Sequence, residues 1–129
     1  MSSVFRDIED FMCKGGQTFS VPNPAQIKLY RELVEEEYTE FCQAVDNEEP
    51  LENQIKEAID ILVVTIGWLL SHGISAQLAW DQVQINNLLK VTEETKRDER
   101  GKIMKSEASI RRKEILLRRL KEIADAAKD

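Results

Sequence analysis

The stretch from Ile61 to Leu70 limits this chain's fold more than any other, because it carries no charged side chain. Ile61, Val63, Val64 and Ile66 are β-branched and would suit a buried strand. Length decides against that, since a helical apolar pattern already running through Ile55 and Ala58 enters the stretch without a turn signal. The run is about half the roughly 20 residues a membrane span needs. A helix that is apolar on every side belongs at the centre of a bundle or in a subunit interface. Three prolines and five glycines in 129 residues are too few turn residues for a sandwich or barrel. The sequence therefore predicts an all-α protein, a small bundle of about five helices.

Ser2 or Ser3 can cap a first helix with Val4, Phe5, Ile8, Phe11 and Met12 at helical spacing, ended by Gly15-Gly16. Phe19 and Val21 in the following loop are expected to fold back on the core. Asn23-Pro24 is a start signal for a second helix reaching about Val45, with Ile27, Tyr30, Val34, Phe41 and Val45 as its apolar stripe. Asp46 to Pro50 forms an acidic turn, and a third helix runs from Leu51 to just before Gly73. Ser75 can cap a fourth helix ending after Lys90, Thr92 to Lys105 is expected to be a mobile loop, and an amphipathic helix runs from Ser109 onward. A short turn between the second and third helices makes them a central antiparallel pair.

The length fits one compact domain. Cys13 and Cys42 form neither a metal pair nor a redox motif and read as free thiols. No signal-like pattern opens the chain, so a cytoplasmic location and no membrane association are expected. Charge is unevenly spread: residues 1–95 carry 6 basic and 17 acidic side chains, net −11, and residues 96–129 carry 12 and 7, net +5. The tail's Arg111-Arg112-Lys113 and Arg118-Arg119 have no interleaved aromatic residue, which disfavours nucleic acid and favours a solvated or intersubunit face. His72 reads as a helix-end residue, and Trp68 and Trp80 as core or interface packing.

Five acids stand out. Glu36-Glu37-Tyr38-Thr39-Glu40 lies mid-way along the second helix, where residues three and four apart share a face, so Glu40 meets both Glu36 and Glu37. Glu57 and Asp60 are three apart on the third helix, Asp60 just before the apolar run, where an unpaired buried carboxylate is costly. Antiparallel packing would bring four or five carboxylates together, and like charges that close need a cation. With no Cys or His among them, the donors point to Mg²⁺ or Mn²⁺ rather than zinc. Such an ion keeps positions for water and phosphate oxygens, which favours attack of water on phosphorus.

This pattern, Glu36-Glu37-x-x-Glu40 followed by Glu57-x-x-Asp60, resembles the signature of the all-α NTP pyrophosphohydrolases, which include MazG and phosphoribosyl-ATP pyrophosphohydrolase. Tyr30 to Val34 and Ile61 to Gly67, on either side of the acids, are similar to the family too. So are Val83 to Lys90, with an asparagine and a lysine near the end, and Gly101 to Lys105, where Arg100 departs from the acidic residue that often precedes Gly-Lys. The resemblance covers most of residues 1–105 and implies a MazG-like domain there, with 106–129 a basic amphipathic helix of the same unit. It implies cleavage between the α- and β-phosphates of a nucleoside triphosphate. Glu37, Glu40, Glu57 and Asp60 would hold Mg²⁺, and Glu36 would position the attacking water or help bind a second ion. Asn87 and Lys90 would contact substrate, with Lys102 and Lys105 reaching the phosphates.

The functional expectation is house-cleaning of (d)NTPs to (d)NMPs and pyrophosphate by a homodimer or homotetramer. Phosphoribosyl-ATP hydrolysis is the alternative within the same chemistry. A non-catalytic helical regulator, binding a partner or nucleic acid through its basic tail, is the alternative of another class.

Overall fold

The computed structural model of the chain describes residues 3–91 and 95–127. Among the described residues are five helices, α1 (Val4–Lys14), α2 (Pro24–Asp46), α3 (Leu51–Ser71), α4 (Ala76–Leu88) and α5 (Glu107–Ala126), and no β-strand. The all-α expectation holds. Two compact units form, one from Met1–Ala76 with the chain end from Ala127, the other from Gln77–Ala126.

In the first unit the helix starts follow from their caps. Ser3 Oγ accepts from the Arg6 N–H at 3.1 Å, and Asn23 Oδ1 accepts from the Gln26 N–H at 3.2 Å, with Pro24 in the first turn of α2. Asn47 caps the end of α2, and Glu48 takes a left-handed φ of 52° in the tight turn into α3. α2 then runs antiparallel along α3, as the register shows. Gln26 meets Ser71, Tyr30 meets Gly67 and Glu37 neighbours Asp60, residue numbers rising on one helix by the steps in which they fall on the other.

Ile8 and Met12 of α1, Tyr30 of α2, Val64, Ile66 and Leu70 of α3, and Ala76 form the buried core, with Phe5, Phe19, Leu33, Val34 and Trp68 against it. Buried Gln26 fastens the α1–α2 loop. Its amide donates to Ser71 Oγ (2.9 Å) and Thr18 O (2.6 Å), and its carbonyl accepts from the Thr18 N–H (3.1 Å). A buried carboxamide is tolerable only when satisfied in this way.

On α3, Val64, Ile66, Gly67 and Leu70 are buried, while Leu51, Ile55, Ile59 and Leu62 are 52–67% exposed along one face. Two sequence expectations are corrected here. Phe11, counted with the stripe of α1, is exposed. Phe19 folds onto the core but the Val21 side chain does not, because the Val21–Pro22 backbone lies against Gly73. Gly73 has φ +78°, and a Cβ there would stand 2.8 Å from the Val21 carbonyl carbon, so only glycine fits.

In the second unit α4 and α5 are joined by polar contacts. The buried Asn86 amide donates to Ser109 O at 3.2 Å, its carbonyl accepts from Arg112, and Arg112 also reaches Gln82 Oε1 at 3.4 Å. α4 stops two residues short of the expected Lys90, and α5 begins two residues before Ser109. The early start follows from a reciprocal cap: Ser106 Oγ accepts from the Ser109 N–H, and Ser109 Oγ from the Ser106 N–H, each at 3.1 Å. Of the loop expected at Thr92 to Lys105, residues 92–94 lie outside the described residues. The remainder closes on itself, with an antiparallel bridge between Arg97 and Ile103 and Asp98 Oδ1 accepting from the Arg100 and Lys102 N–H groups at 2.9 Å each.

Candidate functional site

One turn of α2 sets Glu37 and Glu40 on the same face, and the antiparallel register brings Glu57 of α3 opposite them. One carboxylate oxygen from each of the three lies within 4.8 Å of the other two. Glu37 Oε2 and Glu57 Oε2 are shielded from solvent and accept no hydrogen bond from any described residue. Two shielded, unsatisfied carboxylate oxygens beside a third carboxylate are costly, and a hard dication would satisfy all three. The donor set is all oxygen and holds no sulfur or imidazole, so it fits Mg²⁺ or Mn²⁺ better than zinc.

Asp60 lies close enough to Glu37 to raise its pKa, but its Oδ2 accepts from Lys56 Nζ at 2.8 Å. Lys56 Nζ is also 3.7 Å from Glu57 Oε1. This internal counter-charge escaped the sequence reading. Its signal was there: Lys56 and Asp60 are four apart on one helix, the spacing at which side chains pair. Glu36 is exposed; with Glu32, Glu35, Thr39 and Glu40 it lines a shallow open groove along α2.

Asn87, Lys90 and Lys105 line one hollow in the second unit, of about 500 Å³. Lys102 is not part of that lining; its N–H belongs to the Asp98 turn and its side chain is exposed. His72 ends α3 as read from the sequence, its ring edge-on to Trp68 with centroids 4.5 Å apart. Trp80 is exposed. In the basic tail, Arg111, Arg119 and Lys121 pair with Glu107, Glu122 and Asp125 of the same helix.

Burial, followed by the Glu40, Asp60 and Glu57 carboxylates, raises the Glu37 pKa above its ordinary 4.5. The folded chain thus holds this proton at pH values where the unfolded chain has released it. Metal-free protein is expected to keep this part of its stability below pH 4.5 and lose it as pH rises through the raised value. Mg²⁺ requires the deprotonated carboxylate, so stabilisation by Mg²⁺ should grow across the same window. Melting curves against pH in EDTA and in Mg²⁺ check both slopes, and Glu37→Gln should remove its share of each.

The sequence model of the phosphoribosyl-ATP pyrophosphohydrolase family matches residues 15–87, which include α2, α3 and all five acids of the motif. No curated protein matches the chain.

Proposed function

The chain belongs to the phosphoribosyl-ATP pyrophosphohydrolase family, among the MazG-like all-α NTP pyrophosphohydrolases, and from that premise we propose that it is a cytoplasmic, Mg²⁺-dependent hydrolase cleaving nucleoside triphosphates to the monophosphate and pyrophosphate. Members of this family use a divalent metal and act on nucleotides. The observation that carries the reading is the meeting of Glu37, Glu40 and Glu57 with two shielded oxygens left unsatisfied.

Glu37, Glu40 and Glu57 would hold the ion, and Asp60 would join them if it turned from Lys56. When bound, Mg²⁺ neutralises phosphate charge and lowers the barrier to attack at phosphorus. Glu36 orients the attacking water or supports a second ion. Asn87, Lys90, Lys102 and Lys105 bind the substrate, the lysines as point charges for phosphate oxygens. House-cleaning of (d)NTPs is the primary reading. The family match favours phosphoribosyl-ATP as a second.

Pyrophosphate release measured across the (d)NTPs and phosphoribosyl-ATP, with and without Mg²⁺, decides between them. Metal-dependent release from at least one is expected. Every substrate left intact in Mg²⁺ and in Mn²⁺ would overturn the proposal.

The exposed apolar face of α3 also supports a homodimer or a dimer of dimers, a second copy covering Leu51, Ile55, Ile59 and Leu62. No single helix among the described residues is long and apolar enough to cross a membrane. Ile59→Asp with Leu62→Asp is expected to reduce the species seen in sedimentation to the monomer. Wild-type protein that sediments as a monomer would refute the assembly.

A further inference from the structure

The second unit contains two adjoining hollows that share Lys90 and Lys105. The first, about 420 Å³, is lined by Lys90, Lys96, Lys105 and Arg111 together with Ser106 and the first turn of α5. Among the described residues its only acid is Glu107, 3.9 Å from Arg111, with both side chains largely in solvent. Lys90, Lys96 and Lys105 form no ion pair with any described residue. Four cations around one hollow repel one another, and a compact polyanion relieves that repulsion. The start of a long helix adds peptide N–H groups and a dipole of the same sense.

The second hollow, about 500 Å³, has a different lining. Val83 of α4 with Ile110 and Leu116 of α5 give it apolar walls. Asn86 is committed to Ser109 and Arg112, but the Asn87 carboxamide next to it bonds no described residue and can pair with a base edge. Both volumes suit a small ligand.

We propose that the second unit binds a nucleoside polyphosphate lengthwise, its phosphates among Lys90, Lys96, Lys105 and Arg111 and its nucleoside against Val83, Ile110 and Leu116. The inference rests on the nucleotide substrate proposed above and adds to it. Lys96, Ile110, Arg111 and Leu116 lie beyond the segment matched by the family. Substrate selection would thus depend on the helix most remote in sequence from the acids.

Equilibrium binding in EDTA at low ionic strength tests this without hydrolysis. The probes are inorganic tripolyphosphate, a series of nucleoside triphosphates, and a single-stranded oligonucleotide at matched phosphate concentration. Lys96→Gln with Arg111→Gln should weaken tripolyphosphate and nucleotide alike, each charge lost costing roughly three- to tenfold. Ile110→Ser alters an exposed side chain, so the fold should survive; it should weaken nucleotide roughly threefold or more and leave tripolyphosphate unchanged.

Three results would overturn the proposal: tripolyphosphate that does not bind or ignores the cation variants, Ile110→Ser affecting both ligands equally, or the oligonucleotide displacing nucleotide more strongly than free nucleotide does. The two readings fail separately. Nucleotide bound here but never hydrolysed refutes the enzymatic proposal alone. Hydrolysis with binding indifferent to all three substitutions refutes this one alone.

Discussion

Glu57→Gln is expected to abolish pyrophosphate release while leaving the metal-free protein at least as stable as the wild type. Glu57 is the one member of the convergent trio contributed by α3, and its Oε2 is shielded and unsatisfied. A neutral carboxamide is a poorer Mg²⁺ ligand, so activity should fall by more than the roughly 10- to 100-fold typical of losing a group that merely supports a ligand. Stability should move the other way. The substitution removes a negative charge facing Glu37 and Glu40 and supplies an N–H₂ that can donate to either. Circular dichroism melts in EDTA, set beside melts in Mg²⁺, separate the two effects. Wild-type protein should gain melting temperature from Mg²⁺, and Glu57→Gln should not. A variant that still releases pyrophosphate at the wild-type rate would remove this trio from the chemistry. Asp60→Asn makes an informative companion, since Asp60 is already partnered by Lys56. Its metal-free protein should lose the 2.8 Å ion pair with Lys56, whereas Glu57→Gln gives up only the looser 3.7 Å approach of Lys56 and relieves repulsion within the trio.

The contrast between these two acids shows what the sequence could and could not convey. Helix identity and register were legible because spacing alone determines which side chains share a face. Asn23-Pro24, the acidic turn and the apolar run place α2 and α3 within a residue or two of their observed bounds. The grouping of Glu37, Glu40 and Glu57 follows from that register. The orientation of Asp60 depended on its neighbour Lys56, a local pairing on α3 that a search for acids passed over. Exposure was harder still. Ile59 and Leu62 lie in or beside the most apolar stretch of the chain, yet one face of α3 has no partner within the unit, and hydropathy cannot say where a bundle stops. The closed turn at Asp98 was read as loop because its order comes from one carboxylate accepting two backbone N–H groups, a feature invisible to periodicity.

Gly67→Ala is expected to be among the most damaging conservative changes in the first unit. An added Cβ would sit 2.2 Å from Cε1 and 2.6 Å from Cδ1 of Tyr30, far inside van der Waals contact. The ring cannot swing aside easily. It is 2% exposed within the core, and its hydroxyl donates to Gln17 Oε1 at 2.5 Å. Relief must come from moving α2 away from α3, and overpacking of this kind costs about 1–3 kcal/mol or more. A drop of several degrees in melting temperature should follow. Gly67→Ala combined with Tyr30→Leu should melt higher than the sum of the two single losses allows, because the clash partner is gone. The effect should also reach the acids. Glu37 and Asp60 lie seven residues from Tyr30 and Gly67 along their respective helices, about two turns, so the close approach at Gly67 helps set the gap across which the carboxylates meet. Gly67→Ala should therefore weaken Mg²⁺-induced stabilisation even at temperatures where the variant is fully folded. If it melts lower yet responds to Mg²⁺ like the wild type, the interhelical distance at Gly67 does not govern the site.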